Sequence, residues 1–104
     1  MELTYSLDDL NVKVNLAGEL DHHSAKKMID RIEHIIDLYL PPELTLDLGG
    51  VTFMDSSGIA VLLGAYRRQI SGDGSVRVIG VRPQPMKVLR AAGLSRYMPI
   101  EACA

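Results

Sequence analysis

Two hydrophobic periods alternate along this chain, and the alternation restricts it to a narrow set of folds. Over residues 12–17, Val12, Val14 and Leu16 interleave with Lys13, Asn15 and Ala17, which is the period of a half-buried strand. From residue 25 the spacing becomes three and four. Ala25, Met28, Ile29, Ile32, Ile35, Ile36 and Tyr39 line one face, and Lys26, Lys27, Asp30, Arg31, Glu33, His34 and Asp37 fill the other. That is an amphipathic helix, stopped by Pro41-Pro42. "ELTLDL" (43–48) returns to the strand period with Leu44, Leu46 and Leu48.

The remaining elements follow in the same way. A second helix is expected from Ser57 to about Ile70, ended by "SGDG", and "SVRVIGV" (75–81) is a strand. Pro83 and Pro85 suit the start of a third helix that continues through Met86–Ala92, with Gly93 in the left-handed position past its end. Leu3–Leu7 supplies a strand ahead of the turn-like "DDLN", and "MPIEACA" offers a short closing strand. The order β-β-α-β-α-β-α predicts a single α/β domain over residues 1–104, with a mixed four- or five-stranded sheet and helices packed on it. Met28, Ile32 and Ile36 of the first helix should face the sheet, as should Leu62 and Leu63 of the second. Functional loops gather beyond the carboxyl ends of such strands, which selects residues 18–24 and 49–57.

Composition closes off several function classes. The 104 residues are 47% hydrophobic and 23% charged, as in a globular domain able to bury its own core. Eleven basic against thirteen acidic residues give a net charge of −2, and the basic residues are dispersed. Neither nucleic acid nor an anionic membrane finds a footprint here. A single cysteine, Cys103, has no partner for a disulfide, and the amino terminus "MELTYSLDDLNVKV" lacks the pattern of a signal peptide. The longest apolar stretch, Ile59–Tyr66, is too short to span a bilayer. A cytoplasmic location is expected.

Two motifs lie on the selected loops. In "FMDSSG" a serine or aspartate can cap the following helix by accepting a first-turn N–H. Alternatively, Ser57 stands exposed at the helix tip with Gly58 leaving it unobstructed. A phosphate there would meet the positive end of the helix dipole, opposed in part by Asp55. In "LDHHSA", Asp21, His22, His23 and Ser24 raise the possibility of a metal site or a hydrolytic triad with Ser57. Adjacent histidines tend to point apart, and three or four converging zinc ligands are not displayed, so no metal is expected. There is neither a nucleophile elbow nor a Gly-rich oxyanion loop. A polar loop in which Asp21 or Ser24 caps the first helix is the simpler reading. Asp47, opposite the leucines, could imitate a receiver domain's phosphoacceptor but lacks the acidic cluster and distal lysine. "ISGDGS" is a turn.

Three blocks carry a resemblance: "GELDHHSA" (18–25), "LDLGGVTFMDSSGIAVLLGAYRR" (46–68) and "KVLRAAGL" (87–94). In this order they resemble the STAS-domain anti-sigma factor antagonists, and within them the sporulation members that oppose an anti-sigma-F kinase. The resemblance implies a regulator without enzymatic activity or cofactor. Unphosphorylated, it would bind an anti-sigma factor with serine kinase activity and so release the sigma factor. Phosphorylation on Ser57 would inactivate it, and a serine phosphatase would restore it. Asp55, Ser56 and Gly58 match the motif around Ser57, and Asp21, His22 and His23 match the adjoining partner-binding surface. Members of the family usually continue past the counterpart of "YMPIE" into a C-terminal helix, whereas this sequence stops at Ala104. That departure concerns the covering of the sheet, not Ser57. The runner-up from another class is a small hydrolase or nucleotide-handling enzyme built on Ser57, Asp55 and the Asp21-His22-His23 loop.

Overall fold

Each stretch of period two forms a strand and each stretch of period three to four forms a helix in the computed structural model, which describes residues 1–104. The elements are β1 (Glu2–Asp8), β2 (Asn11–Leu20), α1 (Ala25–Tyr39), β3 (Glu43–Met54), α2 (Ser56–Ser71), β4 (Ser75–Val81), α3 (Pro83–Ala92), a single 3-10 turn (Leu94–Arg96) and β5 (Ile100–Ala102). The sheet has five strands in sequence order. β1 and β2 form an antiparallel hairpin, and β2 to β5 run parallel.

That topology decides where the core lies. Parallel neighbours taken in sequence order by right-handed crossovers place every crossover helix on the same face. On that face Val12, Val14, Leu16, Leu44, Leu46, Leu48, Val76 and Val78 are buried. Met28, Ile32 and Ile36 of α1 cover them, with Val61, Leu62 and Ala65 of α2 and Leu89 of α3. The other face is polar. Lys13 pairs with Asp47 at 3.4 Å and Arg77 with Glu101 at 3.1 Å.

Two expectations about the sheet are corrected. β2 and β3 do not stop at Ala17 and Leu48; they continue to Leu20 and Met54. Gly18 and Gly49-Gly50 resemble strand breakers, but the strands run through them, and Gly50 lets β3 draw close to β2. A Cβ on Gly50 would lie 2.7 Å from that of Ala17, and Gly18 takes φ 111° at an irregularity in the β2–β3 register. The connecting loops therefore shrink to 21–24 and Asp55. In α2, Leu62 faces the sheet as expected but Leu63 is only half-buried. One residue along a helix turns the side chain by about 100°, which carries Leu63 toward Tyr66 and Tyr97 at the edge.

Helix ends follow local chemistry. Leu40 ends α1 in the left-handed conformation (φ 46°) just before the two prolines, and Gly93 ends α3 in the same way (φ 69°). Gln69, near the end of α2, is 2% exposed. Its Nε2 donates to Pro41 O and Ser75 O, both at 3.0 Å, so one side chain ties α2 to the beginnings of β3 and β4. The periodicity alone did not single it out.

Candidate functional site

β2 and β3 end together, with Leu20 paired to Met54, and each chain passes at once into a helix. The starts of α1 and α2 are thus set side by side beyond the carboxyl ends of two parallel strands, where functional loops collect. Asp55 N–H, donating to Leu20 O at 3.3 Å, bridges the two. The topology thus unites the two motifs at one end of the sheet.

At the first start, Asp21 closes the turn. Its Oδ1 accepts from the backbone N–H of His23 at 3.0 Å and of Ser24 at 3.2 Å. Ser24 occupies the cap position of α1 but its hydroxyl donates to Glu19 O at 3.0 Å rather than capping the helix. Desolvation pushes the Asp21 carboxyl up, yet the Ser24 and His23 N–H groups and the neighbouring imidazoles outweigh it. The group therefore lies below its ordinary value. The two imidazoles do not diverge: their centroids are 3.9 Å apart at 38°, because the tight turn swings residues 22 and 23 to the same side.

At the second start the cap is Asp55, not a serine. It has extended backbone angles, and its Oδ1 accepts from Ser57 N–H at 2.8 Å. Asp, Ser and Ser are all competent caps, and only the backbone angles choose among them. Ser56 and Ser57 thus become the first two residues of α2; Ser56 is exposed and Ser57 half-buried. Ser57 stands in the first helical turn rather than on a loop. Its hydroxyl is spared capping, and the first-turn N–H groups and positive helix end lie beside it.

Gly58 does not serve to uncover Ser57. It is buried, and a Cβ there would come within 2.4 Å of Met54 Cγ and 3.3 Å of Leu20 Cδ2. The glycine seats the start of α2 on the ends of the two strands. Asp47 is also accounted for structurally, since its Oδ1 accepts from Gly49 N–H at 2.8 Å on the polar face of the sheet.

A hydrolytic relay needs a carboxylate, an imidazole and a hydroxyl hydrogen-bonded in series. Here both carboxylates bond to backbone N–H groups of turns and caps, and the imidazoles lie tilted against one another. No group of three or more His, Cys, Asp or Glu side chains is placed to hold a metal. The arrangement suits recognition: a polar tip carrying an available hydroxyl, with Phe53, 41% exposed, just before it on β3. Phe53 was missed in the sequence because it sits inside an apolar run, although exposed aromatics are frequent anchors at interfaces. Gln84 was missed as well. Its carboxamide bonds both backbone groups of Met54, and nothing in the local pattern marks it.

A five-stranded mixed sheet with its helices on one face is the architecture of the STAS class of regulatory domain, and here it carries a D-S-S-G helix start beside the Asp21-His22-His23 turn. The family described as "Mlab, STAS domain" matches residues 3–100, and the chain belongs to the STAS-domain family, among its anti-sigma factor antagonists. The anti-sigma F factor antagonist of Paenibacillus polymyxa is 36% identical over 87 residues, covering 84% of this chain and 74% of that one. The anti-sigma-B factor antagonist of Bacillus subtilis (strain 168) is 25% identical over 92 residues, covering 88% and 83%. Among solved structures, the anti-sigma factor antagonist SpoIIAA in its unphosphorylated form is 26% identical with a TM-score of 0.82, over 95% of this chain and 87% of that one. The phosphorylated form of the Bacillus cell fate determinant SpoIIAA has a TM-score of 0.71 at 26% identity, over 95% and 90%.

Proposed function

We propose that this domain is a partner switch whose state is written on Ser57. Unphosphorylated, it binds an anti-sigma factor that is also a serine kinase and so frees a sigma factor in the cytoplasm. The kinase transfers the γ-phosphoryl group of ATP to Ser57 Oγ, the hydroxyl proton leaves, and ADP departs. A serine phosphatase hydrolyses the ester and resets the switch. The domain contributes no catalytic group, and binds neither nucleic acid nor membrane.

The observation that carries this reading is the division of labour at the start of α2. Asp55 caps the helix and Gly58 packs it, so the Ser57 hydroxyl is left for chemistry supplied by another protein. Asp21, His22 and His23, beside it across the Leu20–Met54 pair, form with Asp55 and Ser56 the rim that a partner would meet, while Gly58, expected there from the motif, is buried beneath it.

Phosphorylation adds roughly −1.5 to −2 charges at neutral pH. The positive end of the helix dipole makes that charge tolerable to the domain itself. A partner surface fitted to a neutral hydroxyl has no such provision, and an unpaired phosphate buried there is strongly unfavourable. The test is incubation with an anti-sigma factor kinase and ATP, followed by intact mass and site mapping. One phosphate on Ser57, absent from Ser57→Ala, is expected. Phosphate on Ser56 instead, or turnover of ester or nucleotide substrates that is lost in Ser57→Ala, would overturn the proposal.

A further inference from the structure

Gln84 stands where the sheet runs out of strands. β3 is paired with β4 only from Glu43↔Ser75 to Asp47↔Ile79, yet it continues to Met54. β4 runs out soon after Ile79, ending at Val81, and β5 lies on its other edge. That flank of β3 therefore has no strand to satisfy its peptide groups, and a buried peptide group without a partner is costly. Met54 is only 1% exposed.

The start of α3 fills the gap with side chains. Arg82 Nε donates to Gly49 O at 2.7 Å. Gln84 takes both groups of Met54: its Oε1 accepts from the N–H at 2.8 Å and its Nε2 donates to the carbonyl at 2.9 Å. A carboxamide carries the same donor and acceptor as a peptide group, so Gln84 acts as a strand one residue long. Across β3, the next residue is held to β2 by Asp55 N–H donating to Leu20 O.

We propose that Gln84 is the positioning residue of the Ser57 site. It holds the last residue of β3, and through it Asp55 and Ser57, where the hydroxyl is presented to the kinase. This rests on Ser57 being the phosphoacceptor. The path is short. Met54 precedes Asp55, whose carboxylate holds the Ser57 N–H, and the Met54 side chain is the floor on which Gly58 rests. If Met54 drifts, the cap and the floor of the first turn move together. Gln84 acts through the backbone of Met54, so it is a positioning residue and not a catalytic one.

The experiment compares the full chain with Gln84→Met, which keeps length and volume but loses both hydrogen bonds. Residue-resolved amide exchange should be about tenfold faster at Ser57 and Gly58, with Val14 and Leu46 in mid-sheet unchanged. Under an ATP-dependent anti-sigma factor kinase, kcat for phosphate incorporation should fall about tenfold. The comparison is Ile32→Val, a core change far from the site, at an equal distance below its own thermal midpoint. Should Gln84→Met fail to fold, Gln84→Glu keeps the acceptor toward the Met54 N–H and is read by the same two measurements. Unchanged exchange at Ser57, or a rate loss no greater than that of Ile32→Val, overturns the proposal. If the parent chain takes no phosphate on Ser57 while exchange there still responds to Gln84→Met, the phosphoacceptor reading fails and the positioning by Gln84 stands.

Discussion

Gly58 and Gly64 lie on the same helix and make opposite demands. A methyl group at Gly58 would overlap the Met54 side chain, whereas at Gly64 its nearest neighbour is Ile29 Cγ2 at 3.9 Å, an ordinary contact. Gly58→Ala should therefore destabilise by about 1–3 kcal/mol through overpacking. Gly64→Ala should stabilise by about 0.5–1 kcal/mol, because alanine restricts the unfolded chain and favours the helix. Urea unfolding midpoints of the two variants, moving in opposite directions, would check both. The cap assignment separates Asp55 from Ser57 in the same assay. Asp55→Ala should lose about 1 kcal/mol, while Ser57→Ala, which removes no cap, should stay within about 0.5 kcal/mol of the parent. A reversed order would return the capping role to Ser57. Asp21 adds a pH signature. Its carboxyl is lowered in the folded state, so its contribution is present above the ordinary aspartate value of about 3.9 and is lost as pH falls through the lowered value. Asp37, held down by the hydrogen bond from Arg68, behaves with the same sign. Thermal midpoints from pH 7 to 2 should fall in this acid range, and less steeply for Asp21→Asn than for the parent.

At the scale of elements, α1 was legible almost in full because its apolar stripe has an unbroken helical period and ends at two prolines. Its phase is testable. Ile32 is 1% exposed, and Ile32→Ala should cost about 2–5 kcal/mol by leaving a cavity under the helix. A cost within about 0.5 kcal/mol, as at an ordinary surface position, would mean that the stripe faces elsewhere. The ends of β2 and β3 were not legible, since a glycine that permits a close approach has the same letter as one that breaks a strand. Gly50 against Ala17 is the first kind, and only the register of the two strands reveals it. The site was half readable. The residue types in "DSSG" and "LDHHS" announced a polar helix start, and the alternation of elements put both at carboxyl ends of strands. Which of three adjacent competent caps takes the role depends on backbone angles that the letters do not carry. Gln84 was invisible for a different reason. Its function answers a vacancy on β3 that exists only because β4 is shorter, a relation between elements remote in sequence.

The whole molecule separates its stability from the proposed switch. The core lies between one face of the sheet and the helices, while Ser57 lies at one end of that layer, in the first turn of α2. A charge added at the tip is met by the positive end of the helix. Phosphorylation should therefore leave the thermal midpoint of the free domain within a few degrees, since about 1 kcal/mol moves a domain of this size by some 4–8 °C. The effect on a partner is of another order. Burying an unmatched phosphate at an interface costs several kcal/mol, and even 2.7 kcal/mol is about a hundredfold in affinity. Titration calorimetry with the anti-sigma factor should show the phosphorylated domain binding at least about a hundredfold more weakly than the parent. Ser57→Ala should bind like the parent and remain bound in the presence of ATP. Ser57→Asp, which brings a charge without the size of a phosphate, should bind poorly. Should the phosphorylated domain instead lose its cooperative melting transition, weak binding would reflect unfolding. Blocking of the interface by charge at the tip of α2 would then be the wrong mechanism.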